Sequence, residues 1–417
     1  MIGIVCLVVF AGALWGALAA AGQLRQRSLL AVIMGGYALR VVIHFFIREV
    51  KLFSHVVGGD SVGYEIYARL IALIWHRSGV HFVDADELVD LGPTTLPSNL
   101  FALIAYIDDG PTMRLGCTAI VALAAGLTAL NLYMLAVEFR AERKTALLFA
   151  SIIYFQPSFL FYTSDMYKDG LVLCFTLGAL GSALRLSYRF SVRHAIVGLV
   201  CIGALWYVRF YLIFVTVAPL VVGLVGLNTK GAVRSLLVGL GLAVGALAVA
   251  GFTDILQLAS ERASQTFDHG TSSAVLNSNS QGGSGVVFDD DGSPFGALPA
   301  KLAYTLFSPF PWAGGSLGFQ LGKLDVFLWY FVLYRAIRGA LQTDRRLVIL
   351  LATFILPCTF MYAMSMANVG LIVRQRLVIV AAMTLLAALY KPKNAAKRAR
   401  ARDPRALRAL KKLRAAA

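Results

Sequence analysis

Apolar residues run in long blocks along this chain, separated by short polar joints rather than by the two-residue alternation of strands. Blocks at 2–22, 28–47, 113–137, 145–162, 169–188, 208–227, 235–254, 323–341, 347–367 and 371–390 approach or reach the length of a membrane-crossing helix, about 20 residues. A shorter block at 195–207 adjoins the one at 208–227, with a break at Tyr207-Val208-Arg209. The pattern predicts an all-α polytopic membrane protein of about eleven membrane segments. One stretch differs. Tyr64, Tyr67, Ala68, Ile71, Ile74 and Trp75 recur at helical spacing, with Gly58-Gly59 before them and Asp60 or Ser61 placed to cap a helix start. They predict a juxtamembrane amphipathic helix lying along the membrane surface, with Trp75 and the tyrosines at headgroup depth.

Charge orients the segments. The joints at 23–27, 138–144, 188–194, 228–234 and 342–346 carry Arg25, Arg27, Arg140, Arg143, Lys144, Arg189, Arg193, Lys230, Arg234, Arg345 and Arg346. Lys and Arg near span ends stay in the cytoplasm, so the N-terminus lies outside and the C-terminus inside. Nine acids between Glu49 and Asp109, and six between Asp254 and Asp291, then mark two outer loops, 48–112 and 255–322, with Asp254 at the edge of the second. The chain divides into a transmembrane domain, 1–390, and a basic cytoplasmic tail, 391–417. The first segment reads as a retained span, because it lacks the positive leading region of a signal peptide.

Composition narrows the function. The 417 residues are 59% hydrophobic and 14% charged, with mean hydropathy +0.74, against about 25% charged in soluble domains. A soluble enzyme is excluded. The tail holds eleven Lys/Arg against one acid, Asp403, and so accounts for ten of the net +16. It carries no aromatic residues between the basic ones, which fits contact with anionic membrane lipids and no nucleic acid. All five cysteines fall within predicted spans, giving neither a disulfide framework nor a zinc set. The cytoplasmic joints are too short for a nucleotide domain and no phosphate-binding Gly-rich motif is present. Any chemistry is expected at the outer face.

Four features there carry candidate chemistry. Asp60, at the start of the surface helix, is placed as a general base for an acceptor hydroxyl, or else as a helix cap; Glu65 is the second carboxylate and Tyr64 a substrate contact. The turn Tyr162-Thr163-Ser164-Asp165-Met166-Tyr167-Lys168-Asp169 opens the next helix, where Lys168 would hold a phosphate and Asp165 or Asp169 an acceptor. Charges at membrane depth form the third: Arg209, Arg374 and Arg376 as phosphate ligands, alongside Arg40 and His44, the latter read as an interior histidine. Arg48 and Lys51 are read as reaching to headgroups. The last is the second loop, 265–296, read as a lid over the site, with Asp289-Asp290-Asp291 a solvated run lacking calcium-loop spacing and Trp312 a sugar-stacking or interface ring.

Gly59-Asp60-Ser61, Tyr64 and Tyr67-Ala68, in the first outer loop of a many-span chain, resemble the corresponding segment of the GT-C membrane glycosyltransferases. The resemblance covers that loop and the general topology. It implies an inverting transfer of a sugar from a polyprenyl-phosphate carrier to a glycan or lipid acceptor, at the outer face of a bacterial cytoplasmic membrane. Ser61 follows the acid where that family often has Asp-Glu or Asp-x-Asp, so no metal or other cofactor is expected, with a divalent ion left open. Two alternatives stand beside it: an O-antigen-polymerase-like or ligase-like enzyme, and a flippase or transporter of lipid-linked glycan without catalysis.

Overall fold

A computed structural model describes residues 2–50, 59–88, 91, 94–225, 261, 264, 284–288, 297–314 and 317–391. In chain order its helices are α1 (Ile2–Ala20), α2 (Arg27–Arg48), α3 (Gly59–Ser78), α4 (Thr95–Ile107), α5 (Met113–Glu138), α6 (Arg143–Tyr154), α7 (Pro157–Tyr162) and α8 (Asp169–Tyr188). There follow α9 (Val192–Val208), α10 (Leu212–Val225), α11 (Leu298–Phe307), α12 (Leu317–Ala340), α13 (Arg345–Met364), α14 (Val369–Gln375) and α15 (Leu377–Leu389). Among the described residues, helices α1, α2, α5, α8 and α13 are long and apolar enough to cross a membrane, and α14 with α15, bent by 47°, make a sixth candidate. The protein is a helical membrane protein.

The core gathers around α5, α8 and α15, whose residues are buried on most sides. Helices at the periphery turn large apolar side chains outward, among them Ile4, Val5 and Val8 on α1, Ile196 and Val200 on α9, and Phe327 and Phe331 on α12. Lipid solvates such faces, so burial against protein is not what holds these helices in place; close packing is. Gly339 of α12 lies against the backbone oxygen of Leu386 on α15, leaving no room for a Cβ.

The basic joints share one end of the bundle. Tyr133 near the end of α5 hydrogen-bonds Gln26, Arg185 pairs with Glu138 at 2.9 Å, and the Tyr188 hydroxyl donates to Asp344 at 2.7 Å. The Lys391 amide donates to Gln342 at 3.0 Å. Helix α8 spans 20 residues, roughly 30 Å at 1.5 Å per residue, so its first residue, Asp169, stands at the opposite end. The sidedness of four of the five joints expected together is thus shared. The fifth, 228–234, the segment 235–254 and the tail beyond 391 lie outside the described residues.

The segments depart from expectation in two places and hold at a third. The block at 145–162 is two helices, because Pro157 opens α7 and holds Gln156 extended at φ −55°, ψ 126°. The block at 195–227 breaks where expected: α9 ends at Val208 and Arg209 is its extended C-terminal neighbour. The surface helix exists as α3, but its aromatic side does not face the membrane. Tyr64 packs on Phe101 and Trp75 on Tyr106, each at 6.0 Å between ring centroids, so α4 and α5 take that face. Val62, Ile66, Leu70 and Leu73 form a second apolar row, and this is the exposed one.

Gly339→Val should lower the thermal midpoint of the purified protein, by an overpacking cost of about 1–3 kcal/mol. Gly16→Val, at a position with open space around it, should leave the midpoint unchanged in the same detergent melt.

Candidate anion site at the acidic end of the bundle

The turn before α8 is built from a buried cation. Arg40 of α2 donates from Nε to the Thr163 hydroxyl at 2.6 Å and from Nη2 to the Tyr154 carbonyl at 2.8 Å, its guanidinium 4.1 Å from the Tyr154 ring centroid. It thereby satisfies a carbonyl that the end of α6 leaves without an intrahelical donor. Gly36 lets the Tyr154 ring approach α2 where a side chain would collide. His44 is a satisfied interior histidine, its Nδ1 3.1 Å from the Thr118 hydroxyl and 3.2 Å from the Ser164 carbonyl. Arg48 does not reach to headgroups as expected. It donates to Asp165 Oδ1 at 3.1 and 3.0 Å and to the Ser61 hydroxyl at 3.2 Å, tying α2, the turn and α3 together.

On that scaffold four expected residues meet. Asp169, in the first turn of α8, is buried; its Oδ2 accepts from Arg374 Nε at 2.6 Å and its Oδ1 from Arg209 Nη2 at 3.4 Å. Arg374 also donates from Nη1 to Asp60 Oδ2 at 2.6 Å. One arginine therefore bridges a buried carboxylate and one whose side chain is 56% exposed. The rings of Tyr162 and Tyr167 lie under the Arg374 guanidinium, at 4.8 and 5.2 Å, and Tyr211 lies 5.8 Å from that of Arg209. Yet Arg374 Nη2 and Arg209 Nε, both buried, have no hydrogen-bond partner among the described residues. A buried guanidinium N–H without an acceptor costs free energy, and an anion would satisfy both.

The field around these N–H groups is positive. Asp60 lies in the first turn of α3 and Asp169 in that of α8, so two helix N-termini converge there. Lys168 adjoins: burial, together with Arg209 and Arg374, pulls its ammonium down to about 7. Burial pushes the Asp60 carboxyl up, but Arg374, with Lys168 and Arg209, holds it below the ordinary carboxylate range. A tetrahedral oxyanion suits this arrangement, since guanidinium forks and helix N-termini both bind phosphate oxygens.

Other expected residues stand elsewhere. Arg376 turns away from Arg374, donating at 3.1 Å to the carbonyls of Thr305 and Leu306, with Trp329 against its guanidinium. Arg374 lies in the last turn of α14 and Arg376 at the bend into α15, so the expected arginine pair is one candidate anion ligand and one clasp on α11. Glu65 gives its carboxylate to Arg114 at 2.7 Å and Arg69 at 3.3 Å. Asp165 accepts from Arg48, and the two oxygens of Asp169 accept from Arg374 and Arg209. Tyr64 is buried on Phe101, and Trp312, 81% exposed, stacks on Phe310 at 5.2 Å. From the second loop, 284–288 pairs with the residues before α14: Val286 donates to Ala367 at 2.8 Å, and Val369 donates to Ser284 at 2.9 Å. Asp289, Asp290, Asp291 and most of the expected lid lie outside the described residues.

Sequence reading passed over Asp325, buried on α12, which accepts from the Ser158 amide at 3.2 and 3.1 Å and caps α7 from another helix. Its signal was available: it is an acid inside the apolar block 323–341. No family model matches the chain, nor does any curated protein or solved structure.

Sulfate, whose charge is constant near neutrality, should bind the purified protein more weakly as pH rises through about 7, because Lys168 is protonated below that value and neutral above it. Lys168→Gln should flatten this dependence, measured by calorimetric titration across pH. Asp169→Asn should cost about 3–5 kcal/mol, the scale for leaving a buried ion partner uncompensated, and thermal melting in nanodiscs would show it.

Proposed function

We propose that the chain is a membrane glycosyltransferase that moves a sugar from a polyprenyl-phosphate carrier to a glycan or lipid acceptor in cell-surface glycan assembly. The observation that carries this reading is the meeting of Arg374, Arg209 and Lys168 with a half-exposed carboxylate, Asp60, where α3 and α8 begin. Cations fit a lipid-linked phosphate, and an acceptor hydroxyl needs a base beside it. The basic joints gathered at the other end support an orientation with this site at the outer face of a bacterial cytoplasmic membrane, within an eleven-segment topology with N outside and C inside.

In the proposed step, the acceptor hydroxyl gives its proton to Asp60 as its oxygen bonds to the anomeric carbon. The bond from that carbon to the carrier phosphate oxygen breaks on the opposite side, and the electron pair leaves with the phosphate. Arg374, Arg209 and Lys168 receive the extra negative charge, which is largest after the bond has begun to break and so favours the transition state over the bound donor. Arg376 and Asp325 act at a distance, holding α11 and α7 in place.

One observation favours a carrier instead. Three helical interruptions, at Gln156, Arg209 and Arg376, lie toward this end of the bundle, and transporters bind substrates at broken helices. A transfer assay with purified protein, a polyprenyl-phosphate sugar and outer-face acceptor separates the two. Asp60→Asn should lower turnover about 100-fold or more, within the range for loss of a general base. Movement of lipid-linked glycan across liposomes without any transfer would establish the carrier.

A further inference from the structure

Asp60 sits in a position that a substrate phosphate would need. Arg374 offers three nitrogens: Nε is committed to buried Asp169, Nη2 has no partner among the described residues, and Nη1 is held by Asp60. The two carboxylates are not equivalent. Asp169 is locked in α8 by two arginines and its side chain is only 3% exposed, whereas that of Asp60 is 56% exposed, at the first turn of α3. Of the two, Asp60 is the one that exchange with a ligand can reach, and bidentate capture of a phosphate along the Nη1–Nη2 edge of Arg374 brings the phosphate onto the nitrogen that Asp60 holds.

Charge then selects the ligand. With Lys168 protonated, three cations, Arg374, Arg209 and Lys168, face two carboxylates, leaving one positive charge in excess. Release of Asp60 raises the excess to two. A phosphodiester carries one negative charge, while a phosphomonoester carries close to two at neutral pH. We infer that a dianionic phosphate terminus, the monoester or diphosphate form of a carrier, is bound here by exchange for Asp60, which is thereby released from Arg374. This rests on the anion-binding part of the proposed function and names its ligand's charge. In a transfer reaction, the diester donor would acquire that second charge as its bond to the sugar breaks, and Asp60 would become free to take a proton at the same stage.

The exchange predicts opposite effects of one substitution on two readouts, because Asp60 competes with the anion that the base then serves. The probes are methyl phosphate and dimethyl phosphate, titrated into purified full-length protein in nanodiscs near neutral pH. Wild type should bind methyl phosphate at least about tenfold more tightly than dimethyl phosphate, one extra charge-assisted contact being worth roughly that factor. Asp60→Asn and Asp60→Ala should each tighten methyl phosphate about two- to fivefold, the scale of one removed half-exposed ion pair, while lowering transfer about 100-fold or more. Arg374→Gln should lose the binding. In wild type, methyl phosphate should also speed amide hydrogen exchange in residues 60–64, as the first turn of α3 loses its anchor.

Equal affinity for the two esters overturns the dianion preference. Unchanged or weaker methyl phosphate binding in both Asp60 variants overturns the exchange, as does unchanged or slower hydrogen exchange in wild type. These outcomes are separate from the transferase reading. A protein that passes them but transfers no sugar keeps the exchange and loses the enzyme, and a transferase that fails them keeps its base and loses the exchange.

Discussion

A single buried carboxylate organises the acidic end of this protein. Asp169 accepts from Arg374 on α14 and from Arg209 between α9 and α10, and it does so from the first turn of α8. Two guanidinium groups taken out of water are costly unless each has a partner. Their positions, and with them the ends of three helical elements, therefore follow from where α8 begins. That start is itself fixed by Arg40, which holds Thr163 and the end of α6, and by Arg48, which holds Asp165. The chain of dependence runs from buried cations on α2, through the turn, to the carboxylate that arranges the arginines.

The same economy of ion pairs distinguishes scaffold from site. Arg40, Arg376 and Asp325 serve mainly backbone groups at helix ends, where membrane-embedded helices have no water to satisfy them. Arg374 and Arg209 differ in keeping N–H groups that are unpaired among the described residues while facing a carboxylate that solvent can reach. Natural proteins rarely leave buried donors unpaired without a reason, and a ligand is the reason the arrangement supports. Aromatic rings around both guanidinium groups restrict them further and exclude water on the protein side.

Much of this was legible in the sequence. The apolar blocks marked the long helices, the break at Arg209 was visible as a 33-residue run too long for one span of about 20, and basic joints signalled a shared end. Asp60, Lys168, Asp169, Arg209 and Arg374 each stood out as charges in apolar or turn contexts. What sequence did not carry was direction and partnership. Arg374 and Arg376 read as a pair, yet the bend at Arg376 sends them to different helices. Arg48 pairs with a residue 117 positions away, and no local pattern announces such a contact. The surface helix had two apolar rows, and the aromatic one read as the membrane face because tyrosine and tryptophan favour that depth; α4 claimed it instead.

A phosphate meeting Arg374 Nη2 and Arg209 Nε, which have no partner among the described residues, is what makes this end of the bundle a site. A cryo-electron microscopy map of the full-length protein in nanodiscs with farnesyl phosphate tests this directly. Density for the phosphate is expected in contact with Arg374 Nη2 and Arg209 Nε, with the Asp60 carboxylate withdrawn from Arg374. Phosphate density confined to the basic joints at the other end, or a bound phosphate that leaves the Asp60–Arg374 pair intact, would contradict it.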